Sequence, residues 1–480
     1  MDLFGTAGVR GDVVARVTPD LALAVGQAAG LEAGADESDV EFVVARDGRT
    51  TGPALPAAVA SGLASAGATV ERAGALPTPA LAFASRGRRG VMLTASHNPP
   101  TDNGIKLFVD GVEYGTDREE AIESLVEADR PPARWDRWGT PEACQPLSAY
   151  REAVVAYARD SVGTLDGLSV AVDCGNGTGG LATPYVLDRL GARVVALNAN
   201  VDGHFPARES KPTEESLAAF RRFVADRDVD LGVAHDGDAD RVVFLDPDGD
   251  VVHEDTVVAV LAEHYVRSSD ASDPVVVTTP NASARIDDRV DEAGGRVERI
   301  RLGALHEGVA AAEAGGGTVA FAAEPWKHIH PAFGGWMDGV ASAAVFAGLV
   351  AGATPSTGST DATDATGTAD ATGTSGAGLA ALREPIDERP YRKVNVPCPD
   401  DAKDATMEGL AAAIPAAFPD AEVTTTYGVR LERDDGSWAL VRPSGTEPFV
   451  RIYAESDDVD GLVAAVRSLV EDAVSDADAG

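Results

Sequence analysis

Short runs of apolar, β-branched residues recur along this chain, each ending at a loop and followed by a segment of helix length. No other feature constrains the fold as much. The runs are Val91-Met92-Leu93 and residues 168–173, 229–234, 275–277 and 318–323. Continuous apolar runs of this length read as strands buried on both faces. Strands alternating with helices require βαβ crossovers and a largely parallel sheet. A helix from Thr18 to about Gly34 and strands at 41–45 and near Thr69-Val70 precede the first of these runs. The pattern predicts an α/β protein of three consecutive, similar α/β/α domains with mixed, mostly parallel sheets, at residues 1–145, 146–250 and 251–352. The stretch from Ala353 to Gly378 is almost entirely Ala, Thr, Gly, Ser and Asp. It lacks core-forming residues, so 353–384 reads as a flexible low-complexity linker. Residues 385–480 form a smaller C-terminal α+β domain. Its last helix is read from Leu462, Val466, Leu469, Val470 and Ala473, which share one face.

The charge narrows the class. A formal charge of -37 with 44% hydrophobic residues is too apolar for a disordered acidic chain. It reads instead as a solvated acidic surface suited to very high salt. No basic stripe is present to neutralise phosphates, which excludes nucleic acid as the partner. Cys144, Cys174 and Cys398 are isolated, so neither a disulfide framework nor a zinc knuckle is expected. The opening residues lack a signal pattern, and residues 340–351 are apolar but too short to span a membrane. A cytoplasmic protein is expected, monomer or homodimer. The only lysines are Lys106, Lys211, Lys327, Lys393 and Lys403. Lys106, Lys211 and Lys327 fall in or beside loops, which marks them as candidates for a site.

Two stretches carry chemistry. The strand at 91–93 stops at Thr94-Ala95-Ser96-His97-Asn98-Pro99-Pro100, where tandem prolines forbid helix and present Ser96 at a strand end. Far along the chain, Asp236-Gly237-Asp238-Ala239-Asp240-Arg241 places three carboxylates at alternate positions. An EF-hand needs Gly at loop position six and Glu at twelve, where this chain has Arg241 and Pro247. Three crowded carboxylates repel unless a cation or a strong hydrogen-bond network holds them. A magnesium ion takes such oxygens and commonly shares them with phosphate. A phosphorylated Ser96 would supply that oxygen, with Arg241 as a clamp. A third stretch, Arg442-Pro443-Ser444-Gly445-Thr446, offers a guanidinium, two hydroxyls and a close-approach glycine, a set that fits a phosphate dianion. The glycine-rich loop 174–180 is not followed by Gly-Lys-Ser/Thr and reads as a tight strand-to-helix turn.

The opening Phe4-Gly5-Thr6-Ala7-Gly8-Val9-Arg10-Gly11 reads as a glycine-rich loop that exposes Arg10. The motifs, in this order and together with that opening, resemble the signatures of the α-D-phosphohexomutase family over essentially the whole chain outside the linker. The resemblance implies four domains around a central cleft, with Ser96 as phosphoserine and Mg²⁺ on Asp236, Asp238, Asp240 and Ser96. It implies that Arg10, His97 and Lys106 surround the phosphoserine, beside the Arg241 clamp read above. Lys106 would handle a proton or stabilise charge. Arg442, Ser444, Gly445, Thr446 and Arg451 would grip the substrate's phosphate. The family's sugar-binding pattern Gly-Glu-x-Ser-Gly-His reads Ala323-Glu324-Pro325-Trp326-Lys327-His328 here. Glu324, Lys327 and His328 are the substrate-binding candidates, and Trp326 either stacks on the sugar or packs against the loop. Phe449 stands where a lysine is frequent.

The implied activity is a phosphohexomutase that interconverts the 1- and 6-phosphates of glucose or mannose through a bisphosphorylated intermediate. A phosphoglucosamine mutase or phosphopentomutase is the alternative within the family. A sugar phosphatase and a non-catalytic phosphosugar-binding protein are the alternatives of other classes.

Overall fold

The computed structural model describes residues 3–5, 8–36, 39–354, 376–444 and 447–479. The chain divides into two compact units, Met1–Val257 with Trp326–Glu384, and Val258–Pro325 with Pro385–Gly480.

The first unit holds two complete sheets and, besides them, the antiparallel strand pair Lys327–His330 and Gly334–Met337. In the larger, Glu41–Arg46 pairs in parallel with Thr69–Ala75 and with Arg89–Leu93, and Thr69–Ala75 pairs in parallel with Pro141–Ala143. The order then reverses hand, because Arg89–Leu93 pairs antiparallel with Asp102–Val109, which pairs antiparallel with Val9–Asp12. Val9, Phe42, Val44, Val70, Val91, Leu93 and Ile105 are all buried in one cluster with helices Pro19–Asp36 and Ala54–Ser65. The apolar runs of the sequence form the buried strands expected of them, since covered sheet faces need apolar residues at every position. In the smaller sheet, Ser169–Asp173 lies in parallel between Leu231–His235 and Arg193–Leu197, and Val242–Leu245 adds antiparallel to Leu231–His235.

Arg10 does not sit in an exposed loop. It lies on the strand Val9–Asp12, opposite Gly104, because the residues after Gly8 complete a sheet edge. The far end of the expected linker is also ordered. Residues Ala377–Arg383 are helical, with Gly378 and Leu379 buried, because Leu379 supplies the apolar anchor the low-complexity run lacks. Most of that linker, 355–375, lies outside the described residues. The apolar stretch expected at 340–351 is the helix Gly339–Ala353, capped by Asp338, whose carboxylate accepts from Ala341 N at 2.8 Å. Among the described residues no helix is long and apolar enough to cross a membrane.

In the second unit, Pro274–Thr278 pairs in parallel with Arg296–Arg299 and with Thr318–Glu324. The C-terminal sheet is antiparallel throughout, in the order Tyr391–Pro397, Phe449–Glu455, Trp438–Pro443, Val429–Glu432, Glu422–Thr424. Helix Val459–Ala479 buries Leu462, Val466 and Val470 against it, four residues apart as an amphipathic face demands. Mostly parallel α/β units and an antiparallel C-terminal α+β unit match the class read from the pattern.

Candidate active site

Strand Leu231–His235 delivers the acidic loop from its carboxyl end, and Asp236, Asp238 and Asp240 are all buried. One carboxylate oxygen from each lies within 4.8 Å of the others. The glycine-rich loop after Ser169–Asp173 supports it from behind. Thr178 N donates to Gly237 O at 3.0 Å, and a Cβ on Gly177 would stand 2.6 Å from that same oxygen. The loop is therefore a brace for the aspartates, which explains its glycines without a bound phosphate. Arg208 adds a second brace, pairing with Asp173 at 2.6 Å and donating to His235 O at 2.6 Å.

Ser96 meets this loop directly. Its Oγ donates to Asp236 Oδ2 at 2.6 Å and lies 3.5 Å from Asp240 Oδ1 and 3.3 Å from His97 Nδ1. Ser96 has φ of 51°, a left-handed conformation that a serine adopts only when its surroundings enforce it. The enforcement is visible. Ser96 N donates to Thr94 Oγ1, Thr94 Oγ1 donates to Asp47 Oδ2, and Asp47 holds Arg49 in a fully buried ion pair. The Arg49 guanidinium then donates to the carbonyls of Ser96, Asn98, Pro99 and Asp102. Asp47 and Arg49 escaped the sequence reading because their partners lie about fifty residues away. The signal was present only as an Asp and an Arg closing the strand Glu41–Arg46. Thr78, also missed, donates to Asp238 Oδ2 at 2.5 Å.

Cations ring the carboxylates. Lys106 Nζ lies 2.9 Å from Glu113 Oε1 and 3.2 Å from Asp240 Oδ2. Burial disfavours its ammonium, but Glu113 and Asp240 outweigh burial and hold its pKa above the usual lysine value. Arg241 Nε stands 3.9 Å from both Asp236 and Asp240. Burial, helped by the charges of Arg241 and Arg10, pushes His97 down to about 2, so its ring is neutral. Burial and then the charges of Asp240 and Asp238 push Asp236 well above the carboxylate range. Asp240, though buried, is held well below that range by Lys327, Lys106, Arg241 and Arg10.

The donor set fits a hard divalent cation. It offers only oxygens, it concentrates charge, and Asp238 Oδ1 is buried with no hydrogen-bond partner.

The sugar-loop candidates separate. Lys327 is buried and its Nζ lies 3.5 Å from Asp240 Oδ2, so it faces the acidic trio. His328 is buried on the strand Lys327–His330, its Nδ1 3.0 Å from Ser342 Oγ, and burial pushes it down to about 3. Its environment is that of a packed core histidine, not of a solvent-facing ligand. Trp326, at φ of 66°, packs against the core that contains Val243 and Leu245, which decides for packing between the two expected roles. Glu324 ends the strand Thr318–Glu324 in the second unit, where Gly303 N donates to its carboxylate at 3.1 Å.

In the second unit, Arg442 and Arg451 face each other across adjacent strands. Ser444 is buried, its N donating to Phe449 O at 2.9 Å, while Gly445 and Thr446 lie outside the described residues. Lys403, which sequence reasoning left out of the site, donates to Ser444 O at 2.6 Å and to Glu447 O at 2.8 Å, and so ties together both sides of this loop.

Three family models match the chain. Phosphoglucomutase/phosphomannomutase alpha/beta/alpha domain I covers residues 1–132, domain II covers 148–249, and the C-terminal domain covers 394–473. A phosphopentomutase of Thermococcus kodakarensis is 39% identical over 95% of this chain and 94% of its own length. A probable phosphoglucosamine mutase of Methanopyrus kandleri is 37% identical over 98% of each. The crystal structure of a phosphoglucomutase/phosphomannomutase family protein from Burkholderia thailandensis superposes with a TM-score of 0.81 at 26% identity, over 99% of this chain and 98% of that one. Fold, acidic site and relatives together define a phosphosugar mutase, an isomerase that transfers phosphate intramolecularly. The chain belongs to the phosphoglucomutase/phosphomannomutase family, the α-D-phosphohexomutases.

Proposed function

We propose that the chain interconverts the 1-phosphate and the terminal phosphate of an aldose, with ribose phosphates as the first candidate substrate. The observation that carries the mutase reading is the 2.6 Å bond from Ser96 Oγ to Asp236, in a loop held in a strained conformation. In this reading phosphorylated Ser96 gives its phosphoryl group to a free sugar hydroxyl. The P–Oγ bond breaks, a P–O bond to the sugar forms, and the proton of the sugar hydroxyl ends on the departing Ser96 Oγ, which is restored as a hydroxyl. The bisphosphorylated sugar then turns over and returns its other phosphate to Ser96. A Mg²⁺ ion on Asp236, Asp238, Asp240 and the Ser96 oxygen would supply charge neutralisation for the transferring group. Lys106, kept protonated by Glu113 and Asp240, supplies fixed positive charge rather than a base. Neutral His97 orients the serine oxygen, Arg241 and Arg10 add positive charge, and Arg442, Ser444, Gly445, Thr446 and Arg451 take the non-reacting phosphate. The four-domain division near residues 145, 250 and 385 is part of this reading.

The pentose reading is favoured by two things. The Thermococcus relative bears the name phosphopentomutase. Lys327 and His328 are also turned away from solvent, which leaves Glu324 as the sugar-loop group for hydroxyls and suits a substrate with fewer of them. Glucosamine phosphate is the second reading, on the name of the Methanopyrus relative. The test is a coupled assay on ribose, glucosamine, glucose and mannose 1-phosphates with Mg²⁺ in high salt. A kcat/KM highest for ribose 1-phosphate supports the pentose reading, one highest for glucosamine 1-phosphate favours the second reading, and one highest for any of the three hexose phosphates overturns the first. Release of inorganic phosphate faster than isomerisation would make the protein a phosphatase.

A further inference from the structure

One residue that departs from the family's pattern, Lys327 where glycine is common, sits against the acidic trio. Its position is enforced on both sides. Trp326 O accepts from Val242 N at 3.1 Å and its ring packs on the core, while the next residue, His328, is bonded to Ser342. Side chains alternate along a strand, so with His328 anchored inward Lys327 is committed to the opposite face. There its Nζ lies 3.5 Å from Asp240 Oδ2, the same oxygen that Lys106 Nζ approaches at 3.2 Å.

Two ammonium groups on one carboxylate oxygen exceed what that carboxylate needs. The surroundings explain the excess. Counted with every carboxyl group ionised, Asp236, Asp238, Asp240 and Glu113 match the four cations Lys106, Lys327, Arg241 and Arg10, and the burial that favours a neutral Asp236 tips the balance further toward positive charge. A dication added alone would leave this buried site with two uncompensated positive charges. A dication added together with a phosphoryl group of about -1.5 to -2 charge restores the balance.

We propose that Lys327 couples the two events, occupying Asp240 electrostatically in the dephosphorylated enzyme so that a divalent cation binds tightly only once Ser96 carries its phosphoryl group. The proposal rests on the reading of Ser96 as the phosphorylated residue and of the aspartates as cation ligands. It makes Lys327 a regulator of cation affinity rather than a sugar ligand.

The experiment measures Mn²⁺ affinity, by electron paramagnetic resonance of the free ion, on the full chain in dephosphorylated and phosphorylated forms verified by intact mass. The wild type is expected to bind Mn²⁺ at least about 10-fold more tightly when phosphorylated. Lys327→Met is expected to tighten the dephosphorylated form by about 10-fold and to narrow the gap between forms to under about 3-fold. Lys327→Arg keeps the charge and is expected to keep the gap. Lys327→Gln serves as the neutral variant should the methionine variant melt early. Equal affinity of the two wild-type forms overturns the proposal, as does a neutral variant that binds Mn²⁺ no better than wild type when dephosphorylated. If no phosphorylated chain is ever found, the mutase reading fails, and the neutral variants measured on dephosphorylated protein still decide the role of Lys327.

Discussion

Arg442 stands directly opposite Arg451 on the neighbouring antiparallel strand, and the Nε of each is buried without a hydrogen-bond partner. Like charges at opposed positions destabilise a sheet. The arrangement makes sense as a cradle for an anion, which both guanidinium groups would share. Replacing either arginine with methionine is expected to raise KM about 10- to 100-fold, since a hydrogen bond to a charged group contributes roughly 1.5–3 kcal/mol. The melting temperature should hold or rise in Arg442→Met, because the repulsion is relieved, whereas Arg451→Met also gives up the pair with Glu447 and should gain less. Steady-state kinetics beside a thermal melt checks both halves.

Ser96→Ala removes the oxygen that carries the phosphoryl group in the proposed cycle. Turnover is expected to fall at least about 1,000-fold, by the magnitude that loss of a nucleophile causes in covalent catalysis. Phosphate should also no longer appear on the protein after incubation with a sugar bisphosphate. Undiminished turnover would remove the phosphoenzyme mechanism.

Arg49 holds four carbonyls of the serine loop while buried against Asp47, which burial has already pushed up to about 6. Arg49→Met leaves Asp47 buried without its partner, a change that costs about 3–5 kcal/mol. A lower urea midpoint is expected, together with a fall in kcat greater than any change in KM, because Ser96 loses its fixed geometry. Arg49→Lys should recover stability in part but not kcat, since a lysine lacks the fork that reaches four acceptors.

His328 is held neutral by burial, its pKa pushed down to about 3 in the fold, against an unfolded value near 6.5. The unfolded chain therefore binds more protons below pH 6.5, and stability is lost as pH falls from there toward the folded value. At pH 5 this one residue accounts for about 2 kcal/mol. His235, pushed down to about 4 by burial, acts in the same direction. Urea titrations at pH 7.5 and pH 5 are expected to show the loss, with a shallower slope in His328→Phe.

A formal charge of -37 predicts that salt stabilises the fold. Screening shortens from about 10 Å at 0.1 M to about 3 Å at 1 M ionic strength. A melting temperature that climbs between those concentrations of KCl is the expected result, and a flat one would refute the reading of a salt-adapted surface.

How far the site could be read from the chain depended on distance along it. The strands were legible because burial on both faces leaves a continuous apolar run, as at Val91-Met92-Leu93. The three aspartates were legible because their repulsion is local and needs an explanation wherever they sit. Asp47, Arg49 and Thr78 were not, since what makes them matter is a contact with a loop 47 or more residues away. Lys327 and His328 were read as a pair of sugar ligands. Strand alternation sends them to opposite sides, and a two-residue turn at Pro325-Trp326 hid that strand from a reading that expected a loop. Arg10 was misjudged for a related reason, because glycines that suggested an exposed loop flank an edge strand instead.

A Cβ placed on Gly237 would lie 2.7 Å from the carbonyl oxygen of Ser96. Main chain thus lies close against main chain where the serine loop meets the acidic loop, beside the side-chain bond from Ser96 to Asp236. A backbone approach of this kind cannot be retuned by exchanging a side chain, so the two loops are inherited as a matched set. A chimera that joins residues 1–145 of this chain to the remainder of a distant relative would face a mismatch at that seam, however faithfully every motif was preserved.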